Sequence, residues 1–251
     1  HTHTHTHTHT PMHTEAHGYK KVQIKDSPSE QTHRTEPYTG RILLYFTTFP
    51  KPAHLADLMQ CWPGLLQQSS LLRSADILVY LGGPASPAMV ANWTAQLNYL
   101  AAGTKGKARL HHEPMNAGYQ GGAMLAMHTL LSKGWQRDYD WVIRLNPDVL
   151  VYDDSYLDSF FRSPYLNTVL ANCHGGTLQN QGTVAVMSDF FAFRPEHIPS
   201  NAFANWQEEH SAEEQVTRVF NDSISLKTCA WLLPHQNSFT CRTRGNGVWH
   251  W

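Results

Sequence analysis

Beyond its first forty residues the chain alternates short apolar stretches with longer stretches in which apolar residues recur every three or four positions. The short stretches are typical of buried strands and the longer ones of amphipathic helices, so their alternation predicts a parallel sheet covered by helices on both faces. In the first half, strands are predicted at residues 41–47, 75–81, 109–112 and within 139–151. Helices are predicted around residues 54–61, near residue 69, at 86–102, where Ser86-Pro87 is a start signal, and at 122–131.

The second half shows the same alternation less regularly. Strands are predicted at residues 167–171, 183–187 and 190–193, the last two separated by Ser188-Asp189, and a helix is predicted at 205–220. Together these elements predict an α/β domain with a mostly parallel central sheet flanked by helices.

The first forty residues have a different character from the rest of the chain. Five His-Thr repeats at residues 1–10 resemble an affinity tag, and residues 11–40 are polar, with several charges and no sustained apolar period. We therefore expect residues 1–40 to be a tag and a flexible lead-in, and residues 41–251 to form the folded domain.

Composition narrows the range of partners. The formal net charge is -1 and charged residues make up 16% of the chain, which argues against nucleic acid as a partner. No apolar run is long enough to cross a bilayer, so we expect no membrane span, and the compartment stays open. The four cysteines are widely spaced and lack CxxC pairs, so buried thiols and disulfides, including a Cys229–Cys241 pair, remain alternatives.

The segment at residues 141–151 carries the sharpest chemical signal. An apolar strand runs into the corner Asn146-Pro147-Asp148 and then resumes as Val149-Leu150-Val151. A carboxylate at the end of a buried strand is unfavourable unless it is paired or binds a cation. Asp148 is thus a candidate ligand for a hard divalent metal, and Asn146 offers a neutral oxygen beside it. The alternative is a strand-end turn in which Asp148 is solvated.

The loops after the predicted strands should meet in one crevice, because ligands bind at the carboxyl edge of an open parallel sheet. Thr47-Thr48, Gly82-Gly83, residues 116–122 and residues 146–148 would converge there. The third loop contains three glycines, which allow backbone amides to approach a phosphate or, alternatively, allow a tight turn and close helix packing. It matches neither the G-x-G-x-x-G dinucleotide fingerprint nor the P-loop pattern.

This combination resembles the nucleotide-diphospho-sugar glycosyltransferases of the GT-A fold, whose hallmark is an Asp-x-Asp motif after a central strand. Asn146-Pro147-Asp148 occupies that place, with Asn where the first Asp is usual. The resemblance implies a nucleotide-diphosphate sugar donor, a glycan or glycoconjugate acceptor, and Mn²⁺ or Mg²⁺ held by Asp148. It also implies a nucleotide-sugar-binding half at residues 41–151 and an acceptor and catalytic half at 152–251.

The resemblance assigns further residues to the donor site and the metal. His250, which lies between two tryptophans, resembles a C-terminal histidine metal ligand of several such families; the alternative is a packed terminal residue, and His174 and His235 are weaker candidates. The residues expected to bind the nucleotide sugar are Thr47, Thr48, Gly82, Asn116, Gly118, Gly121, Arg144 and Asn146.

Catalytic residues are expected in the second half. In inverting members of the fold an acidic residue at a helix start deprotonates the acceptor hydroxyl, and Glu213 and Glu214 resemble that motif. Ser211 and Glu214 also form a capping-box pattern, which would leave Glu213 freer. Glu214-Gln215 equally resembles a motif of retaining members, so the stereochemistry stays open. Asp189 is expected to bind a sugar hydroxyl or to lie in a buried turn.

Two other functions are weighed against glycosyl transfer. A sugar nucleotidyltransferase would need a Gly-rich basic signature after the first strand, and residues 47–51 do not supply it. A catalytically silent module that binds a sugar nucleotide or a glycan is compatible with Asn146 in the metal motif.

Overall fold

The computed structural model describes residues 36, 38–115, 117–151, 153–177, 184–206, 210–223, 229–232 and 238–239. The predicted tag and lead-in thus lie outside the described residues except for residues 36 and 38–40. From Tyr38 onward the described residues belong to one compact unit, Pro37–Trp251.

The predicted strands and helices follow one another in the expected order, and residues 155–162, 229–232 and 238–239 form further elements that the sequence pattern did not predict. The strands are β1 Ile42–Thr48, β2 Asp76–Gly82, β3 Ala108–Glu113, β4 Trp141–Leu145, β5 Leu150–Val151, β6 Thr168–Thr177, β7 Val184–Phe193, β8 Cys229–Leu232 and β9 Ser238–Phe239. The α-helices are α1 Pro52–Gln68, α2 Pro87–Ala102, α3 Tyr119–Ser132, α4 Ser155–Arg162 and α5 Ala212–Ser223.

Seven of the described strands form one sheet in the order β3-β2-β1-β4-β7-β6-β8. The pairs β3–β2, β2–β1 and β1–β4 are parallel, β7 runs antiparallel to both β4 and β6, and β8 is parallel to β6. The predicted α/β fold with a mostly parallel sheet is confirmed. The apolar stretch after the Asn146-Pro147-Asp148 corner does not extend β4, because β5 pairs with β9 in a separate two-stranded sheet.

Helices cover both faces of the large sheet, as the alternating pattern predicts. On one face, which we call the α1 face, α1, α2 and α4 pack on strand residues such as Leu44, Phe46 and Ile143. On the other, the α3 face, α3 and α5 pack on the alternate strand residues, including Leu43 and Val142. Nearly continuous apolar strands are typical of a sheet that is buried on both sides.

The first half matches its predicted elements to within a few residues, with one exception. The two helical stretches expected around residues 54–61 and near residue 69 are instead the single helix α1, which contains Pro63, followed by the 3-10 turn Leu72–Ser74. Leu58, Trp62 and Leu66 continue one buried stripe across the proline. Packing of that stripe outweighs the hydrogen bond that a proline removes from a helix.

Three predictions for the second half are wrong in their boundaries. The strand expected at residues 167–171 extends to Thr177, and the two short strands around Ser188-Asp189 are the continuous strand β7. The helix expected from residue 205 begins at Ala212 instead. The polar pair Ser188-Asp189 interrupts the apolar pattern but not the strand, although the pairing with β6 shifts register across it, which explains the second error.

Two expectations concern the cysteines and membrane spans. Cys61 forms a disulfide bond, which decides between thiol and bridge for that residue. None of the helices in the described part of the chain combines the length and the apolar character that a bilayer span requires.

Candidate functional site

A single cleft lies at the carboxyl ends of β1, β2 and β4, where the parallel strand order brings their loops together. The ends of the three strands contribute Thr47, Thr48, Gly82, Asn146 and Asp148. The start of α3, the middle of β7 and the first residue of α5 close the cleft from the other side. The remaining lining residues are Phe49, His54, Gln120, Gly122, Ala123, Arg144, Pro147, Ser188, Asp189 and Ala212.

Arg144 is a buried cation at the floor of the cleft, with 2% of its surface exposed. Its Nη2 donates to Thr47 Oγ1 at 2.5 Å and to Asn146 Oδ1 at 2.9 Å. Asn146 Nδ2 in turn donates to Asp189 Oδ1 at 2.6 Å. The Asn146 amide therefore bridges a buried cation and a carboxylate, and an Asp at this position would lack the donor that Asp189 requires.

Asp189 reaches this bridge because β4 and β7 are neighbouring antiparallel strands, with Leu145 opposite Phe190. Burial raises the pKa of the Asp189 carboxyl, and the nearby carboxylates of Asp148 and Glu213 raise it further. The Arg144 guanidinium and the hydrogen bond from Asn146 oppose this increase in pKa. The cleft thus gathers more negative charge than its one buried guanidinium offsets.

Asp148 is the one carboxylate of the Asn146-Pro147-Asp148 corner. It is half-buried, and no described residue donates a hydrogen bond to its oxygens. The described residues contain no group of three His, Cys, Asp or Glu side chains placed to share one ion. Mg²⁺ and similar ions commonly bind one or two carboxylates together with substrate phosphates and water. The donor set of the cleft fits an ion shared with a diphosphate.

At the start of α5 the neighbouring residues Glu213 and Glu214 make different contacts. Ser211 N donates to Glu214 Oε2 and Glu214 N donates to Ser211 Oγ, both at 3.1 Å, which confirms the predicted capping box. Glu214 also lies 3.5 Å from His210 Nδ1. Glu213 takes no part in the cap and instead accepts a hydrogen bond from Ser188 Oγ at 2.5 Å. Because Ser188 lines the cleft, Glu213 is the glutamate at its edge.

The glycine-rich loop serves packing at least as much as ligand approach. Gly118 is the N-cap of α3 with a φ of 77°, a conformation that favours glycine. A Cβ at Gly121 would lie 2.4 Å from the Trp206 ring, so this glycine allows close packing against an aromatic residue. Neither residue is part of the lining of the cleft. Asn116, predicted in the same loop, lies outside the described residues.

Four polar or aromatic residues of the cleft were not predicted from the sequence. His54 Nδ1 lies 2.6 Å from Thr48 Oγ1, and Phe49 lies beside it at the end of β1. Gln120 Oε1 accepts from Ala212 N at 2.6 Å, and Ser188 orients Glu213. Phe49 lies two positions after a predicted strand end, His54 is six residues from Thr48, and Gln120 lies in the loop at residues 116–122 that was expected at the crevice. Only the contacts of Gln120 with Ala212 and of Ser188 with Glu213 join distant parts of the chain.

Some predicted ligands cannot be placed. His250 and His235 lie outside the described residues, as does the side chain of His174. Their roles stay predictions.

Known proteins resemble this chain in structure but not in sequence. No family model matches the chain, and no curated protein matches it. Among solved structures, the mannosyltransferase PcManGT from Pyrobaculum calidifontis, in complex with GDP-Man and Mn²⁺, matches with a TM-score of 0.53 and 14% identity, over 83% of this chain and 59% of that one. S. aureus TarS 1-349 matches with a TM-score of 0.51 and 12% identity, over 80% of this chain and 60% of that one.

A third structure extends the same pattern. The bifunctional glycosyltransferase WbbM in its apo form matches with a TM-score of 0.50 and 10% identity, over 78% of this chain and 39% of that one. The chain thus spans between about two fifths and three fifths of the length of these three structures. At such low identity the likeness concerns the fold alone. The chain has the GT-A fold of nucleotide-sugar glycosyltransferases.

Proposed function

We propose that this protein is a metal-dependent glycosyltransferase that moves a sugar from a nucleotide-diphosphate sugar to a hydroxyl of a glycan or glycoconjugate. The observation that carries the proposal is the arrangement of two carboxylates around one cleft. Asp148 lies at the strand ends without a described hydrogen-bond donor, while Glu213 lies at the start of α5 and is oriented by Ser188. Asp148 is suited to bind a cation, and Glu213 is suited to accept a proton.

The cation would be Mn²⁺ or Mg²⁺, because the donors of the cleft are hard oxygen atoms. Asp148 would hold it together with oxygens of the diphosphate, and His250 remains a proposed second ligand. When bound, such an ion neutralises the negative charge that develops on a diphosphate leaving group. The structure of PcManGT contains both GDP-Man and Mn²⁺, which supports this pairing of ligands in the GT-A fold.

Glu213 is our choice for the general base. Glu214 is engaged in the capping box, whereas Glu213 accepts from Ser188 through Oε1 and keeps Oε2 for a substrate. In the proposed reaction Glu213 takes the proton of the acceptor hydroxyl. The hydroxyl oxygen then bonds to the anomeric carbon of the donor while the bond from that carbon to the diphosphate breaks. This role corresponds to inverting transferases.

Arg144, Asn146 and Thr47 would organise the floor of the site. Arg144 is buried and fixed by its bonds to the two neighbours, so it adds positive charge close to the diphosphate at little cost of reorganisation. Thr48, Gly82 and Phe49 lie at the ends of β1 and β2, where they would contact the nucleoside. Asp189 would bind a sugar hydroxyl. Gly118 and Gly121 would act by shaping the loop, and Asn116 stays a predicted contact.

The decisive experiment screens UDP-glucose, UDP-galactose, UDP-N-acetylglucosamine and GDP-mannose for hydrolysis or transfer, with and without Mn²⁺. We expect release of a nucleoside diphosphate from one donor, loss of the release in EDTA, and a reduction of at least about a hundredfold in Asp148→Ala. Asp138→Ala is the matched control, because Asp138 is an exposed carboxylate outside the cleft. Its activity should equal that of the wild type.

Retained activity in Asp148→Ala, or equal loss in both variants, would contradict the role of Asp148. A second variant, Glu213→Gln, tests the base separately: donor binding should persist while transfer falls by about two orders of magnitude or more.

A silent sugar-nucleotide-binding module is the second candidate, and Asn146 favours it. Both ends of the Asn146 amide are engaged by Arg144 and Asp189, so the described site offers fewer ion ligands than an Asp-x-Asp motif. Tight binding of one donor with no release of nucleoside diphosphate, unchanged by EDTA, would establish this alternative.

A further inference from the structure

Gln120 joins the two helices that close the cleft. It is the second residue of α3, and its Oε1 accepts a hydrogen bond of 2.6 Å from the backbone nitrogen of Ala212, the first residue of α5. The side chain is half-buried and lines the cleft. The contact supplies a partner for one of the amide groups that the first turn of a helix leaves without one.

This contact fixes which way the Gln120 amide is turned. The oxygen and nitrogen of a glutamine amide have nearly the same shape, and only their hydrogen-bond partners distinguish them. A backbone N–H is a donor, so the atom that meets Ala212 N must be Oε1. The two N–H bonds of Nε2 are then left, and no described residue accepts from them. Gln120 is therefore a hydrogen-bond donor for whatever occupies the cleft.

The position of Gln120 indicates which part of a ligand it meets. In the proposed function, which this inference deepens, Asp148 lies at the diphosphate and Glu213 at the acceptor hydroxyl. Gln120 is hydrogen-bonded to Ala212, the residue directly before Glu213, and it lines the cleft together with Asp148. The part of a nucleotide sugar between its diphosphate and the acceptor is the sugar. We infer that Gln120 Nε2 donates a hydrogen bond to a hydroxyl oxygen of the donor's sugar.

Two substitutions separate this role from the structural one. In Gln120→Glu a carboxylate oxygen still accepts a hydrogen bond from Ala212 N, and its charge complements the positive end of the α5 dipole. The side chain no longer has an N–H group that could donate a hydrogen bond to a ligand. In Gln120→Met both the acceptor and the donor are lost without a new charge. We expect Gln120→Met to lower the melting temperature by about 2–4 °C, and Gln120→Glu to lower it by less, because its carboxylate oxygen still accepts from Ala212 N.

The test measures dissociation constants by titration calorimetry for the nucleotide sugar and for the matching nucleoside diphosphate. The probes are GDP-mannose with GDP and UDP-glucose with UDP. The dissociation constant of the nucleoside diphosphate divided by that of the nucleotide sugar gives the contribution of the sugar to binding. Loss of the hydrogen bond should reduce this ratio by about three- to tenfold in both variants.

Charge repulsion does not mimic this result. A nucleoside diphosphate carries more negative charge than its sugar derivative, so a new carboxylate in the cleft weakens the diphosphate more. Repulsion alone would raise the contribution of the sugar to binding in Gln120→Glu, whereas loss of the Nε2 hydrogen-bond donor lowers it.

Each other outcome contradicts the inference in a recognisable way. Unchanged dissociation constants for both ligands in Gln120→Met mean that Gln120 acts only as a cap. Equal weakening of both ligands in Gln120→Met places the contact on the diphosphate. If the wild type binds none of the four probes, the proposed function itself fails, and the role of Gln120 fails with it.

Discussion

The two faces of the central sheet are formed by the same strands but differ in polarity near the cleft. On the α1 face β1 contributes the apolar residues Leu44 and Phe46, and its last residue, Thr48, is polar. On the α3 face the same strand changes from Leu43 to Tyr45 and then Thr47, and β4 places Arg144 beside them. The α1 face of β1 is therefore apolar until its last residue, whereas the α3 face becomes polar earlier as it approaches the cleft.

The difference shows how a buried sheet can carry polar groups without exposing its core. On the α3 face each of these polar groups has a partner: Tyr45 donates to Ala126 O at 2.7 Å, and Arg144 donates to Thr47 and Asn146. Buried polar groups are tolerated when they are hydrogen-bonded. We thus expect substitutions on the α1 face to affect stability alone, and substitutions on the α3 face to affect stability and binding together.

The largest loss of stability should come from Trp141→Ala on the α1 face. Trp141 has no exposed surface and stacks on Phe161, with ring centroids 4.3 Å apart. Its removal leaves a large cavity, so the free energy of unfolding should fall by about 3–5 kcal/mol in urea denaturation. Trp135, which is half-buried on the α3 face, provides the control. The free energy of unfolding of Trp135→Ala should fall by clearly less. Equal losses would contradict the expectation that the fully buried Trp141 contributes more to stability than the half-buried Trp135.

Arg144→Met should follow, with a loss of about 3 kcal/mol, because it leaves the Asp189 carboxylate without its nearby guanidinium. Donor binding should weaken in the same variant, since the floor of the cleft loses its positive charge. The double variant Arg144→Met with Asp189→Asn should recover part of the stability but not the binding. If the double variant loses the sum of the two single effects, the residues do not interact through Asn146.

The sequence was sufficient to predict β1, β2 and β4 because each is a short apolar run that ends at a glycine or a polar pair. The positions of Thr47, Thr48, Gly82, Asn146 and Asp148 in one cleft followed from the general geometry of parallel sheets. The helix pattern failed where local rules conflict, as at Pro63 in α1.

The contacts within the cleft were beyond the reach of sequence patterns. The sequence predicts Asn146 as a neutral oxygen beside Asp148, but its bridge between Arg144 and Asp189 depends on the pairing of β4 with β7. Gln120 reaches Ala212 across 92 positions of the chain. The capping box was predictable because its partners, Ser211 and Glu214, are three residues apart.

A smaller effect on stability is expected at the start of α5, where neighbouring residues have different roles. Ser211→Ala removes a capping side chain and should lower the free energy of unfolding by about 1 kcal/mol. Glu214→Ala should lose a similar amount, and the double variant should lose less than the sum, because the two bonds of the box support each other. Glu213→Gln should leave the unfolding midpoint unchanged. A stability loss in Glu213→Gln equal to that of Ser211→Ala would mean that Glu213 is part of the cap.

The smallest expected effect is a pH dependence from Asp189. Its folded-state pKa is raised above the ordinary value of 3.8, chiefly by burial, so the folded protein binds the proton more tightly than the unfolded chain does. The contribution of Asp189 to stability is therefore most favourable at low pH and declines as the pH rises from about that ordinary value through the raised one. In Asp189→Asn this decline is absent, and the asparagine oxygen still accepts from Asn146.

Urea denaturation of both proteins at pH 4.5 and pH 7 measures this contribution, since other titrating groups cancel in the difference between them. We expect the stability of Asp189→Asn relative to the wild type to increase from pH 4.5 to pH 7. A relative stability that decreases over this range would show that Arg144 stabilises the ionised carboxylate by more than burial destabilises it. The α3 face would then be a fully neutralised core up to its edge, and the excess negative charge that we assign to the cleft would be absent.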